Sequence, residues 1–177
     1  ARTDSLTRMP NREAVREELQ RLLARPQDGQ GFAVLTLNCD RFRQLNDSLG
    51  QAGGDQLLMH VADRLRNALR PPSDGFAPTA RSGQLAARIG GDEFVVVLDG
   101  LRARVDAERI ALRLLDALAH PYVIGGHEIV CSASLGLAWG PDAVARDVHD
   151  ELDGHDADSL LRDAGIAMVE AKRAGGN

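Results

Sequence analysis

Two apolar runs, Leu85 to Ile89 and Phe94 to Leu98, are separated only by Gly90-Gly91-Asp92-Glu93. Paired apolar runs around so short a glycine turn read as an antiparallel β-hairpin. Adjacent glycines supply positive φ without steric cost and let a bulky ligand approach the main chain. The two carboxylates at the tip repel one another unless a cation or hydrogen-bond donors stand beside them. Taken alone, the segment is equally a solvated turn. It becomes a metal site only where further oxygen ligands converge on it.

Around this hairpin the pattern is mixed. Asp4 and Asn11 are candidate caps for a first helix ending near Ala24. Phe32 to Leu37 reads as a buried strand running into Asn38-Cys39-Asp40. Functional sites commonly form at such strand ends. Asn38, the Cys39 carbonyl, Asp40 and Asp92 would share one oxygen-rich edge if that strand lay beside the hairpin. Asp40 is equally suited to cap a short helix over 41–49. Gly50 to Gly54 interrupts that helix, and Leu57, Leu58, Val61, Leu65 and Leu69 mark another. Residues 71–83 form a loop rich in proline and glycine. A helix spans 105–119, strands cover 122–124 and 127–139 around Gly125-Gly126, 142–158 is an acidic excursion, and 159–174 is a last helix. The uneven alternation predicts an α/β (α+β) sandwich: a central mixed, mostly antiparallel sheet covered by helices, not a doubly wound sheet.

Composition narrows the function classes. With 177 residues, 44% hydrophobic and 27% charged, the chain is one domain with a sizeable core. Aromatics are only 3%, so aliphatic side chains must fill that core. The net charge of −5, with no basic cluster, argues against nucleic-acid or anionic-membrane binding through bulk charge. A small local site for an anionic nucleotide is compatible with it. Cys39 and Cys131 make no disulfide framework, which points to a reducing compartment, and Cys131 reads as a small buried apolar residue. No signal peptide or membrane-length apolar run is visible. The abrupt ends suggest one domain, 1–177, cut from a longer multidomain protein.

Five ordered blocks carry a family resemblance. Gly90-Gly91-Asp92-Glu93-Phe94 is the intact signature of GGDEF domains, the diguanylate cyclase family. Asp4-Ser5-Leu6-Thr7-Arg8-Met9-Pro10-Asn11-Arg12 resembles that family's D-x-L-T-x-L-x-N-R opening. Asp40-Arg41-Phe42-Arg43-Gln44-Leu45-Asn46-Asp47-Ser48-Leu49-Gly50, followed by Gly54-Asp55, resembles its D-x-F-K-x-I-N-D-x-x-G block. Ser134-Leu135-Gly136-Leu137-Ala138 resembles an S-I-G-I-A strand. Asp163 to Met168 with Ala171-Lys172 and Gly175-Gly176-Asn177 resembles the closing helix.

The resemblance implies a palm-like nucleotidyl-cyclase fold and cyclic di-GMP signalling in the cytoplasm, the full-length parent being open to membrane anchoring. It implies GTP as ligand and Mg²⁺ or Mn²⁺ as cofactor. A second GGDEF protomer is needed for catalysis, because each domain holds one of the two reacting nucleotides. By residue, Asn46 and Asp55 match the guanine readers. Gly90, Gly91, Asn38, Phe42 and Arg43 complete the substrate set. Asp92, Glu93 and Lys172 match the catalytic positions, and Asp92, Glu93, Asn38 and the Cys39 carbonyl match the metal ligands.

Five departures from the family pattern stand out. Asn38 replaces a metal-binding aspartate, and Gly176 an arginine near the terminal phosphates. Val169 replaces a tyrosine and Gln51 a histidine. Arg81-Ser82-Gly83-Gln84 stands where the product-inhibition motif R-x-x-D belongs, so Gln84 lacks the carboxylate that would pair with arginine and guanine. The expectation is therefore GTP binding with weakened metal dependence, weak or lost turnover and weak feedback. The alternatives are a fully active homodimeric cyclase, or a non-catalytic regulatory domain for an adjacent EAL phosphodiesterase domain.

Overall fold

Gly31–Cys39 (β1) is dominated by apolar residues, and its first seven residues, Gly31 to Leu37, are all buried. A strand apolar on both faces has to lie inside a sheet covered on both sides. A computed structural model of the chain, describing residues 2–24, 31–69, 84–101 and 103–139, shows this arrangement. The elements are Arg12–Ala24 (α1), β1, Phe42–Leu69 (α2), Gln84–Gly90 (β2), Glu93–Leu101 (β3), Arg104–Ala119 (α3), Tyr122–Ile124 (β4), His127–Ile129 (β5) and Ala133–Trp139 (β6). The main sheet has the order β2-β3-β1-β6, and β4 with β5 makes a separate two-stranded hairpin. Each pairing in the main sheet is antiparallel among the described residues, a purer pattern than the mixed sheet expected.

The strands alternate between two cores. Leu35, Leu37, Cys39, Val96 and Leu98 pack with Leu57, Val61 and Leu65 of α2 and Leu114 and Leu118 of α3. Phe32, Val34, Val95 and Val97 pack on the other face against Val15, Leu19 and Leu22 of α1. Asn11 caps α1, its Oδ1 accepting the Glu13 and Ala14 amides at 3.0 and 3.2 Å. Asp4, the other candidate, instead closes the turn before it. Its Oδ2 accepts from the Thr7 amide and hydroxyl, each at 2.8 Å.

Two boundaries differ from the expected ones. The break over 50–54 contracts to a single kink at Gly50, with φ 82° and ψ 169°, inside the span of α2. That conformation is open to glycine and costly for other residues, so one residue redirects the helix. The long strand 127–139 divides into β5 and β6. Between them the chain turns in to bury Cys131, and the Ser132 carbonyl accepts the Asp40 amide at 2.9 Å. No helix among the described residues is long and apolar enough to cross a membrane. The predicted helix 159–174, the excursion 142–158 and the whole 71–83 loop lie outside the described residues.

Candidate functional site

Leu37 pairs with Phe94, and Asn38 pairs with both Glu93 on β3 and Ser134 on β6. The tip of the β2–β3 hairpin therefore lies beside the carboxyl end of β1. This is the convergence that an oxygen-rich edge requires. Gly90 and Gly91 turn the chain with φ of 152° and 48°, and a Cβ at either would meet nothing within 4 Å. The tip is open to an approaching ligand, and Asp92 and Glu93 are half-buried beside it.

Asn38 Oδ1 is buried and has no hydrogen-bond partner. A desolvated acceptor without a donor is costly. A bound cation would satisfy it. The donors offered along this edge are the carboxylates of Asp92 and Glu93, the amide oxygen of Asn38 and the Cys39 carbonyl. Oxygen-only sets of this kind suit Mg²⁺ or Mn²⁺. Among the described residues no three His, Cys, Asp or Glu side chains gather as a metal cluster.

Asp40 departs from the expected roles. Ser132 and Ser134 donate their hydroxyls to its two carboxylate oxygens, each at 2.6 Å. It fastens β1 to β6. Arg41 follows it with φ 58° and starts the chain into α2.

The second cluster lies on α2. Gly54 is buried, and a Cβ there would come within 1.8 Å of Asn46 Oδ1. The kink at Gly50 thus lays the Asn46 carboxamide over Gly54, next to Asp55. Gln51 Nε2 donates to Asp55 Oδ1 at 3.2 Å and fixes that carboxylate. Phe42 packs on the larger core, while Arg43 is exposed in the first turn of α2. Gln84 is exposed at the far end of β2 from Gly90, opposite Leu98. Lys172, Gly176 and Arg81 lie outside the described residues.

Two features escape sequence reasoning. The first is Arg88, which holds the turn: its Nε donates to the Gly91 carbonyl at 2.9 Å and its Nη1 to Asp4 Oδ1 at 2.8 Å. Both side chains of this ion pair are more than four-fifths buried. Burial pushes the Asp4 carboxyl up, but hydrogen bonds from Thr7 and Arg88 outweigh it and hold the group below the ordinary 3.8. The second is the pair Cys39 and Cys131, both buried in the larger core. Interaction with the Cys131 thiol, with burial, raises the Cys39 thiol well above its ordinary range. Neither pairing has a local sequence signal, since the partners are far apart in the chain.

Comparison with known proteins agrees with this fold. The family model described as diguanylate cyclase, GGDEF domain, matches residues 1–177. The bifunctional diguanylate cyclase/cyclic di-GMP phosphodiesterase MucR of Pseudomonas aeruginosa is 34% identical over 175 residues, which is 98% of this chain and 22% of MucR. The diguanylate cyclase TpbB of the same species is 35% identical over 175 residues, 98% of this chain and 35% of TpbB. A crystal structure of a sensory box/GGDEF family protein from Caulobacter crescentus superposes with a TM-score of 0.81 at 32% identity, covering 99% of this chain and 100% of that one. The chain spans about a fifth to a third of the length of the curated relatives it matches.

Proposed function

The chain belongs to the GGDEF family, and from that premise we propose that it binds GTP at the edge formed by β1 and the β2–β3 turn, with turnover to cyclic di-GMP weak or lost. The observation that carries this reading is Asn38. It stands in register with Glu93, with its amide oxygen buried and unpartnered. Both features support a cation–phosphate site that lacks one formal charge.

In the family reaction, two GTP molecules bound by facing protomers react. Each 3′-hydroxyl attacks the other α-phosphate, and two pyrophosphates leave. A bound Mg²⁺ or Mn²⁺ supplies neutralisation of phosphate charge. The chain supplies the rest. Asp92 and Glu93 would hold the cation, and Glu93 is the candidate acceptor for the 3′-hydroxyl proton. Gly90 and Gly91 admit phosphate to the backbone. Asp55, fixed by Gln51, accepts from guanine N1–H and N2–H₂, and Asn46 reads the base from across the kink. Adenine lacks that donor pair, and a site of placed polar groups rejects such a mismatch strongly. Lys172 and Gly176 lie outside the described residues; by the family pattern Lys172 is the cation assigned to the terminal phosphates, and Gly176 lacks the arginine that would add a bidentate contact. Gln84 cannot replace the carboxylate of a product-inhibition site, so feedback binding of cyclic di-GMP is weak. We place the domain in the cytoplasm, acting with a second copy of itself.

Calorimetric titration of GTP and ATP, each with and without Mg²⁺, tests the reading. GTP binds in preference to ATP, with a smaller gain on adding Mg²⁺ than the Asn38→Asp chain shows. Equal affinity for the two nucleotides overturns it. A second reading, a regulatory domain attached to an EAL phosphodiesterase, is favoured by the resemblance to bifunctional MucR and the small share of that protein spanned here. Under it, GTP binds and alters the neighbouring domain's activity while no cyclic di-GMP forms.

A further inference from the structure

Gln51 follows the kink at Gly50 directly, at the start of the redirected part of α2. Asp55 lies one turn further on, and side chains four apart on a helix are neighbours. Gln51 Nε2 donates to Asp55 Oδ1 at 3.2 Å. A carboxylate offers only acceptors, so the amide nitrogen of Gln51, not its oxygen, has to face Asp55. Gln51 is exposed and Asp55 half-buried. The Asn46 carboxamide lies over Gly54, the residue before Asp55, where a Cβ would come within 1.8 Å of Asn46 Oδ1. The torsion that turns an aspartate carboxylate about its own bond is broad. A half-buried aspartate therefore presents its two oxygens in many planes unless a donor holds one of them. The bond from Gln51 narrows that range, and the carboxylate keeps lone pairs on both oxygens for a ligand. Such order matters for a ligand with two parallel donors, which needs both oxygens in one plane. It matters little for a ligand with a single donor, which one oxygen satisfies over a wide range of torsions.

Resting on the guanine-reading role of Asp55 given above, we propose that Gln51 is a positioning residue that sets base specificity: its bond to Oδ1 fixes the plane of the Asp55 carboxylate, so that the site selects purines carrying both a ring N–H and a 2-amino group over purines carrying the ring N–H alone. Guanine has both donors. Hypoxanthine keeps N1–H and lacks the 2-amino group, so it separates the two cases with no other change in the base. Gln51 acts through Asp55 alone. A bond that served only to support the helix would leave the choice between these two bases unaltered.

The test titrates GTP, inosine triphosphate and ATP calorimetrically, in one Mg²⁺ buffer, into the unsubstituted chain and into Gln51→Leu and Gln51→Glu chains. The unsubstituted chain prefers GTP to inosine triphosphate by about tenfold, the size of one hydrogen bond to a charged group. In Gln51→Leu, GTP affinity falls about fivefold while affinity for the other two nucleotides changes by less than about twofold, so the ratio drops to about two. Gln51→Glu keeps the size of the side chain, loses the donor and adds a like charge beside Asp55. Its ratio falls as far, whatever that charge does to the three affinities together. A fall shared by an apolar and an anionic replacement assigns the effect to the lost donor. Thermal melts without nucleotide read any change in the helix separately. Equal affinity of the unsubstituted chain for GTP and ATP overturns the guanine-reading premise. A preference for GTP over ATP, with the same ratio of GTP to inosine triphosphate affinity in all three chains, overturns the role of Gln51 and leaves that premise standing.

Discussion

Asn38→Asp places a formal charge where a neutral oxygen is now buried without a donor, beside Glu93. The substitution has opposite effects with and without cation. In a chelator, a third carboxylate near Asp92 and Glu93 adds repulsion and desolvation, and the chain loses about 1–2 kcal/mol of stability. With Mg²⁺ and GTP, the same charge joins the cation shell, and affinity for the pair rises about tenfold, or ~1.4 kcal/mol. Thermal melts in both conditions check this; a destabilisation that persists unchanged with Mg²⁺–GTP would show that Asn38 stands outside the cation shell. Asp4 gives a pH prediction. Its folded pKa lies below the ordinary 3.8, so its contribution is fully present above that value and is lost as pH falls through the depressed pKa. Arg88→Ala removes the partner of a largely buried carboxylate and costs about 2–3 kcal/mol near neutrality, between the exposed and buried cases. In urea titrations the gap between the two chains narrows once Asp4 is protonated. A gap independent of pH would mean that Arg88 acts through packing and its bond to Gly91 alone.

At the level of elements, one arginine joins two helices. Arg64 on α2 donates Nη1 to the Ala117 carbonyl at 3.1 Å and to the His120 carbonyl at 2.5 Å, and Nη2 to the Pro121 carbonyl at 2.5 Å. Its guanidinium also lies 3.6 Å from the centre of the Tyr122 ring. Carbonyls at a helix end have no partners within the helix, and α3 has no basic residue in its last turn. Arg64 supplies from α2 what α3 lacks. Arg64→Ala leaves these acceptors to water, removes the ring contact and costs about 2–3 kcal/mol. Hydrogen exchange should show the loss concentrated at the end of α3 and in β4. Arg64→Lys recovers only part, because a single ammonium cannot span three carbonyls in a plane. No spacing rule marks Arg64, whose partners lie more than fifty positions away. The elements themselves were legible because their signals are local. Leu57, Leu58, Val61, Leu65 and Leu69 were expected on one helical face, and all are buried. The gap expected at 50–54 was too wide for a related reason. Gly53 and Gly54 look like breakers but serve close packing, against Leu49 and the Asn46 carboxamide. Gly54→Ala therefore keeps helix α2, pushes Asn46 aside and weakens GTP binding about tenfold while ATP binding barely changes.

For the whole molecule, the site was legible where the family signature and strand pairing coincide, and illegible where distant side chains meet. Asn38 beside Glu93 follows once β1 pairs with β3, whereas Asp40 fastened by Ser132 and Ser134 could not be told from a helix cap. The helix expected over 159–174 and Lys172 lie outside the described residues. A test at this scale uses the symmetry of the reaction. If each product needs one nucleotide from each of two protomers, one impaired protomer disables the pair. Take the Asn38→Asp, Gly176→Arg chain as the active form, and the same chain with Asp92→Ala as the impaired one. With free subunit exchange, the active–active dimers in an equal mixture amount to about one quarter of all dimers. At fixed total chain concentration, cyclic di-GMP production should then fall to about one quarter, and it should follow the square of the active fraction across other ratios. A linear dependence on that fraction would mean that a single protomer completes the chemistry, and the two-domain mechanism would not apply to this chain.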